Sequence, residues 1–331
     1  MPETAGEPAL AVAVVTGIDE YQQRLLRGMN PVLRARGIPL VVHANDPYIG
    51  GVPASLVRLI RQGRPSGVIT SASSAVAEEQ TLMELLRELR IPAVHLGRTL
   101  PDRTCVRGDN ETGMRALMAH LLDERGVRRP VLVRGVVHQQ DSIVREEIIR
   151  EELARRGLQV DSGLVVRGEF GHDVAYRAMR ALLRSRRDMD AVIAFNDPSA
   201  LGALGALADE GLRVPEDVVV TGFDNDQAAS LSWPGLTTVA QDLEGQGRAA
   251  ATALVHEIDG GASRGEITVP SRLIVRGSTV SPGPTGSSFD TAVAMARATQ
   301  AQLSVQDAIL GMNRALIRCR TLDQVVDALA S

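Results

Sequence analysis

Residues Asp190–Asn225 read DAVIAFNDPSALGALGALADEGLRVPEDVVVTGFDN, an order of elements that a parallel α/β sheet accommodates and few other folds do. Asp190–Phe195 is an apolar run of strand length. Asn196-Asp197-Pro198 then supplies a helix start, a capping side chain followed by Pro at the first helical position. Leu201, Leu204 and Leu207 recur at helical spacing, and Gly211 closes the helix. Val218–Phe223 is a second strand, finishing at Gly222-Phe223-Asp224-Asn225. Such a strand–helix–strand unit places its strands parallel with a right-handed crossover. Ligands of open parallel sheets bind beyond the carboxyl ends of the strands. Asn196, Asp197, Asp224 and Asn225 all fall there, so this end is a candidate site.

The same alternation runs through most of the chain. Strands are expected at Leu10–Val15, Leu40–His43, Gly67–Thr70 and Pro92–Leu96, and helices at Glu20–Arg36, Ala54–Gln62 and Ala77–Leu89. Pro31 removes a backbone donor from the first of these helices and predicts a kink or break. After Asp109-Asn110 the pattern restarts: helix Glu111–Glu124, strand Val131–Arg134, helix Ser142–Arg156, strand Leu164–Val166 and helix His172–Arg184. The fold class is therefore α/β, with two doubly wound parallel-sheet lobes.

The central stretch also carries a resemblance. ND-x-x-A-x-G-A-x-x-A-x-x-x-G-x-x-V-P-x-D-V followed by V-x-G-F-D-N resembles the effector-binding core of the lactose-repressor/galactose-repressor family, relatives of the periplasmic sugar-binding proteins. Leu236-Thr237-Thr238-Val239 with Gln241, Gly126–Pro130 and Arg145–Gly157 follow its pattern, and the likeness covers roughly 9–279. It implies a chain that crosses between lobes three times, near Gly108, Val239 and Gly260. Lobe one would be about 9–108 and 240–260, lobe two about 109–238 and 264–279, together a ligand-binding domain over 9–280 with its ligand in the cleft. The resemblance places ligand contacts at Tyr21, Gln22, Ser71, Asp141, Arg145, Phe170, Asn196, Asp224 and Gln241.

Each of these residues has a plainer reading as well. Asp224 could be an exposed turn carboxylate or a cap, and Arg145 a solvated arginine in an arginine-rich chain. A buried Arg145 near a helix start, where a cation opposes the helix dipole, would need an anion or several acceptors. Asn196 serves equally as N-cap of its helix, with Asp197 its structural partner. Ile148 stands where the family pattern has glycine, and Gly97 where some relatives have an acid, so the resemblance fixes no ligand identity. Tyr21, Phe170, Phe195 and Phe223 all fall at expected strand ends or just after them; Phe195 and Phe223 read as core, whereas a sugar or base can stack on Phe170 and Tyr21.

Charge and composition exclude several chemistries. The net charge of −4 gives no global basic field for a nucleic-acid backbone, and all 36 basic residues are arginine. Without lysine there is no P-loop lysine, Schiff base or Ser-x-x-Lys site. The six histidines lack metal-ligand spacing, no cofactor motif occurs, and Cys105 and Cys319 form no disulfide framework. Leu10–Val15 is too short for a signal peptide or membrane span, so no membrane is expected and the compartment is cytoplasmic.

Ser281–Ser288 has linker composition, and the linker is placed at 281–289. Met295, Ala298, Val305, Ile309, Met312, Leu316 and Cys319 then form a heptad-like stripe, and Thr321-x-x-Gln324 opens a further helix. Residues 290–331 therefore read as signalling and dimerisation helices leading to an output domain, with a homodimer as the expected assembly. The favoured function is a small-molecule sensor for a sugar, polyol or nucleoside that binds no nucleic acid itself. A transcription regulator lacking its helix-turn-helix is the alternative. A glycoside-processing enzyme built on Asp197 and Asp224 is the least favoured.

Overall fold

The computed structural model describes residues 9–16, 19–45, 51–71 and 76–280. The expected linker at 281–289 and the helices at 290–331 lie outside the described residues.

Two six-stranded sheets form the two lobes. The first contains β1 (Ala11–Thr16), β2 (Leu40–Asn45), β3 (Gly67–Ser71), β4 (Ala93–Leu96), β5 (Thr104–Gly108) and β11 (Glu266–Val269), in the order β11-β5-β4-β3-β1-β2. All its pairings are parallel. The second contains β6 (Pro130–Arg134), β7 (Val165–Arg167), β8 (Ala191–Ala194), β9 (Val219–Asp224), β10 (Thr237–Gln241) and β12 (Ser271–Ile274), in the order β12-β10-β9-β8-β6-β7. Its one antiparallel member is the edge strand β12, paired with β10. As expected, β8 and β9 are adjacent and parallel, with Ala191 opposite Val219.

Helices cover both faces of each sheet, which is why the central strands are apolar on both sides. In the first lobe α1 (Glu20–Ala35) and α9 (Leu243–Ile258) bury Leu25, Met29, Leu33 and Leu254 on one face, while α2 (Ala54–Gly63) and α3 (Val76–Glu88) bury Leu56, Ile60 and Leu86 on the other. In the second, α6 (His172–Leu183) and α7 (Asp197–Asp209) pack on one face, and α4 (Asn110–Ala119) and α5 (Gln140–Arg155) on the other. A single π-helical turn, His120–Glu124, extends α4, and the short α8 (Gln227–Leu231) follows β9.

Glycine sets the closest helix contact. A Cβ on Gly28 of α1 would stand 2.0 Å from the carbonyl oxygen of Glu244 in α9, and one on Gly247 of α9 would stand 2.0 Å from that of Leu25.

Three features differ from expectation. Helix α1 runs unbroken through Pro31, whose ring lies on the exposed side of the helix, where the carbonyl it leaves without a donor can be hydrated. Strand β5, reading TCVRG, had no apolar run to announce it. The chain passes from the first sheet to the second after Gly108 and returns after Gln241, but β11 still belongs to the first sheet. The third crossing therefore falls at Pro270, between β11 and β12, and not near Gly260.

Candidate functional site

In both sheets the strand order reverses at one point, between β1 and β3 and between β6 and β8. There the connecting helices diverge to opposite faces and leave a crevice at the carboxyl ends. The nine sequence-predicted residues lie around these ends and around those of β9 and β10.

On the first lobe, Asp19 caps α1 by accepting the Gln22 backbone N–H at 2.8 Å, which fixes the first turn directly after β1. Gln22 is buried, and its amide nitrogen reaches the Ser71 hydroxyl, at the end of β3, at 3.4 Å. The Gln22 Oε1 has no hydrogen-bond partner among the described residues. Tyr21 is half-buried, and its hydroxyl is held well above its ordinary pKa by burial and by the carboxylates of Asp141 and Asp224, with Arg145 opposing. Asp141, Asp224 and Arg145 belong to the second lobe, so the Tyr21 hydroxyl lies within reach of that lobe's charges, with Asp19 of its own lobe adding to the rise.

Arg145 is the centre of the second lobe's contribution. It is 2% exposed, on the first turns of α5. Its Nε donates to Asn110 Oδ1 at 2.8 Å, its Nη1 donates to the Phe195 carbonyl, and its guanidinium lies 3.6 Å from the centroid of the Phe223 ring. Its Nη2 is 3.8 Å from Asp141 Oδ2, while Asn110 Nδ2 donates to Asp141 Oδ1 at 2.8 Å. The several acceptors that a buried arginine needs are thus supplied by the protein, and they fix the plane of the guanidinium.

Asp224 ends β9 in a left-handed conformation, φ 105°, followed by Asn225 at φ 54°. Its Oδ1 accepts from Gln241 Nε2 at 2.7 Å, and Gln246 Nε2 in turn donates to Gln241 Oε1 at 3.1 Å. Burial raises the Asp224 carboxyl, against the opposing pull of Arg145 and of the Gln241 hydrogen bond. Asp197 is fully buried; burial and the Asp224 charge push it up to about 8. Both its oxygens are engaged, by the Asp226 backbone N–H at 2.7 Å and the Thr238 hydroxyl at 2.6 Å. It braces the turn and is enclosed, so it does not act as the second carboxylate of a glycosidase pair.

Asn196 fills its capping role: Oδ1 accepts from the Ser199 N–H at 3.1 Å and Nδ2 donates to the Phe170 carbonyl at 2.9 Å. Phe170 sits at φ 60°, its ring held in a space that a Cβ on Gly135 would invade at 2.1 Å. Tyr21, Asp141, Arg145, Asp224 and Gln241 therefore form one cluster. Phe170 and Asn196 join it beside Phe195, and Gln22 with Ser71 forms the opposite wall.

Sequence reasoning missed Asn110, Arg24, Asp226 and Arg276. Arg24 of α1 donates to the carbonyls of Asp224 at 3.1 Å, Asn225 at 3.2 Å and Gln241 at 3.3 Å, crossing from one lobe to the other. One turn earlier, Glu20 accepts the Gln227 N–H at 2.7 Å. Their i, i+4 spacing put both on one face of α1, and that was the available signal. Arg276, with Nη2 on Asn225 Oδ1 at 2.7 Å, had none, because it lies after an edge strand remote in sequence.

Residues 119–279 match the model of the periplasmic binding protein-like domain. The HTH-type transcriptional regulator CelR of Thermobifida fusca is 37% identical over 201 residues, 60% of this chain and 57% of that protein. The structure of a transcriptional regulator CelR–cellobiose complex superposes with TM-score 0.73 and 30% identity, covering 82% of this chain and 86% of that one. The lac repressor dimer bound to operator and the anti-inducer ONPF shares the fold, at TM-score 0.73 and 24% identity over 84% of this chain and 83% of that one. The chain spans a little over half the length of the curated CelR it matches. Among the described residues no helix is long and apolar enough to cross a membrane. With this architecture, these switch-point residues and these relatives, the chain belongs to the lactose-repressor/galactose-repressor family and carries its periplasmic-binding-protein-like effector-binding core.

Proposed function

We propose that the chain is the sensing part of a cytoplasmic, non-enzymatic regulator that holds a neutral polyhydroxylated molecule, in the first instance a sugar, between its lobes. The observation that carries this is the cluster of Arg145, Asp141, Asp224 and Tyr21 at one level of the cleft. A fixed guanidinium plane beside two carboxylates offers both donors and acceptors to sugar hydroxyls, with Tyr21 and Phe170 as apolar walls. Charge argues for a neutral ligand. Arg24, Arg145 and Arg276 are already engaged by protein acceptors, and the chain has no lysine to meet a phosphate. A structural relative solved as a cellobiose complex supports the sugar class. Closure of the lobes on the ligand is the signal, carried by a homodimer in regulating transcription.

A second reading, output through a module after the heptad-like stripe at 295–319, is favoured by the regularity of that stripe.

Calorimetric titration of the chain with cellobiose, other neutral sugars and nucleosides tests the assignment. Asp224→Asn or Arg145→Met should weaken binding of the ligand found by about 10- to 100-fold, the worth of a charge-assisted hydrogen bond. Full affinity in both variants refutes the site.

A further inference from the structure

The turn Asp224-Asn225-Asp226 is gripped from two opposite directions. From the first lobe, Arg24 donates to the Asp224 and Asn225 carbonyls and approaches Asp226 Oδ1 at 3.9 Å. From within its own lobe the turn is held by Asp197, on the Asp226 N–H, and by Arg276, on the Asn225 side chain. Two successive residues at positive φ make it a segment whose shape depends on these outside contacts.

Arg276 is also tied to the segment that ends the described structure. Its Nη1 donates to the Leu236 carbonyl at 2.8 Å, and its own N–H donates to Thr237 Oγ1 at 2.8 Å. The Thr237 hydroxyl meets that of Thr279 at 2.7 Å, and Thr279 meets His120 Nε2, in the π-helical turn, at 2.9 Å. The Thr279 and Val280 N–H groups both donate to the Arg276 carbonyl, at 3.3 Å. An unbroken set of hydrogen bonds thus runs from the cleft turn, through one arginine, to Ser278–Val280 and the π-helical turn.

We propose that Arg276 is a positioning residue that transmits the state of the Asp224–Asp226 turn to the segment Ser278–Val280, the last described residues of the second lobe. The turn is the moving part, because Arg24 belongs to the other lobe and must follow it whenever the lobes change their separation. A shift of the Asn225 side chain then pulls the guanidinium. The backbone of Arg276 carries that pull directly to the amides of Thr279 and Val280. The proposal rests on the cleft reading for what moves the turn in nature, but not for the connection itself.

Amide hydrogen exchange of the full chain, without ligand, decides it. Arg24→Met touches nothing in 278–280, yet it should raise exchange at Ser278–Val280 by about tenfold, the loss of one charge-assisted hydrogen bond's worth of protection. In an Arg276→Met background Arg24→Met should add nothing there. Where Arg276→Met does not fold, Asn225→Gly replaces it, since glycine accepts the positive φ and removes only the acceptor. Three outcomes overturn the proposal: no change at 278–280 with Arg24→Met, the same rise with or without Arg276, or a rise spread evenly over both sheets. Because no ligand is present, a failure here is separate from a failure of the sugar-binding assignment, which the titrations read.

Discussion

Asp226 is a poorly compensated buried carboxyl, and replacing it should stabilise the protein in a pH-dependent way. It is 8% exposed, and its Oδ1 has no hydrogen-bond partner among the described residues. Burial raises its carboxyl well above the ordinary range, and Asp224, Asp197 and Glu20 raise it further. Arg24 opposes this, but at 3.9 Å it gives no hydrogen bond, its N–H groups being spent on carbonyls, and its pull is the weakest of the five influences. An unfolded aspartate titrates near about 3.9. The folded state holds this proton more tightly, so above that pH it binds more protons than the unfolded state, and stability falls as pH rises through the raised pKa. Asp226→Asn removes the charge and keeps the shape. At pH 8 it should gain about 2 kcal/mol, the usual cost of an unpaired buried polar group, or roughly 4–8 °C in Tm. At about pH 3, where the carboxyl is protonated in the folded and the unfolded wild type alike, the two proteins should melt within about 1 °C. Scanning calorimetry at the two pH values reads this. A Tm difference that does not change with pH refutes the reasoning, and a loss at pH 8 would mean that Asp226 is charged and that Arg24 needs it.

Three further outcomes follow from the same geometry. Thr238→Val removes one of two donors to Asp197, whose raised carboxyl already makes stability decline from about pH 4 to about pH 8; the decline should extend to higher pH in a melting series, and an unchanged profile refutes the pairing. Gly28→Ala drives a Cβ against the Glu244 carbonyl and should cost about 2–4 kcal/mol in guanidinium unfolding as α1 and α9 separate; a cost under about 0.5 kcal/mol refutes the close approach. Gly135→Ala displaces the Phe170 ring and should weaken the ligand found by titration about tenfold with Tm nearly kept; unchanged affinity removes Phe170 from the site.

The fold was legible wherever burial on both faces forces an apolar run. Val131–Arg134, Asp190–Phe195 and Val218–Phe223 announced β6, β8 and β9 to within about two residues because those strands are covered by helices on each side. Edge strands carry no such obligation. EITV of β11 alternates with polar residues, and β5 beside it is buried with a polar Thr104 in place of an apolar residue, so the third passage between lobes was placed about ten residues early, with Pro270 the only local mark of it. Pro31 misled for a related reason: its cost depends on whether the freed carbonyl meets water, which the local sequence does not state.

The candidate site divides along a similar line. Residues that a strand's end delivers directly, Asp224 and Asn196, could be placed because position in the βα unit determines position in the cleft, whereas Ser71 and Arg145 came from the family resemblance. What could not be read is which of their bonding groups the protein itself uses. Asn196 spends both ends of its amide on Ser199 and Phe170, and Asp197 both oxygens on Asp226 and Thr238, so neither is offered to a ligand in this conformation. Arg145 spends its Nε and Nη1 but keeps Nη2 directed toward Asp141 at 3.8 Å, longer than a hydrogen bond. That remaining donor, between the two carboxylates of Asp141 and Asp224, is where a ligand hydroxyl gains most, since it would accept from the guanidinium while donating to either acid. The same logic explains why Arg24 and Arg276 escaped notice. Their partners are backbone carbonyls and one amide, reached across the lobes by Arg24 and within the folded second lobe by Arg276, and residue type alone gives no sign of them.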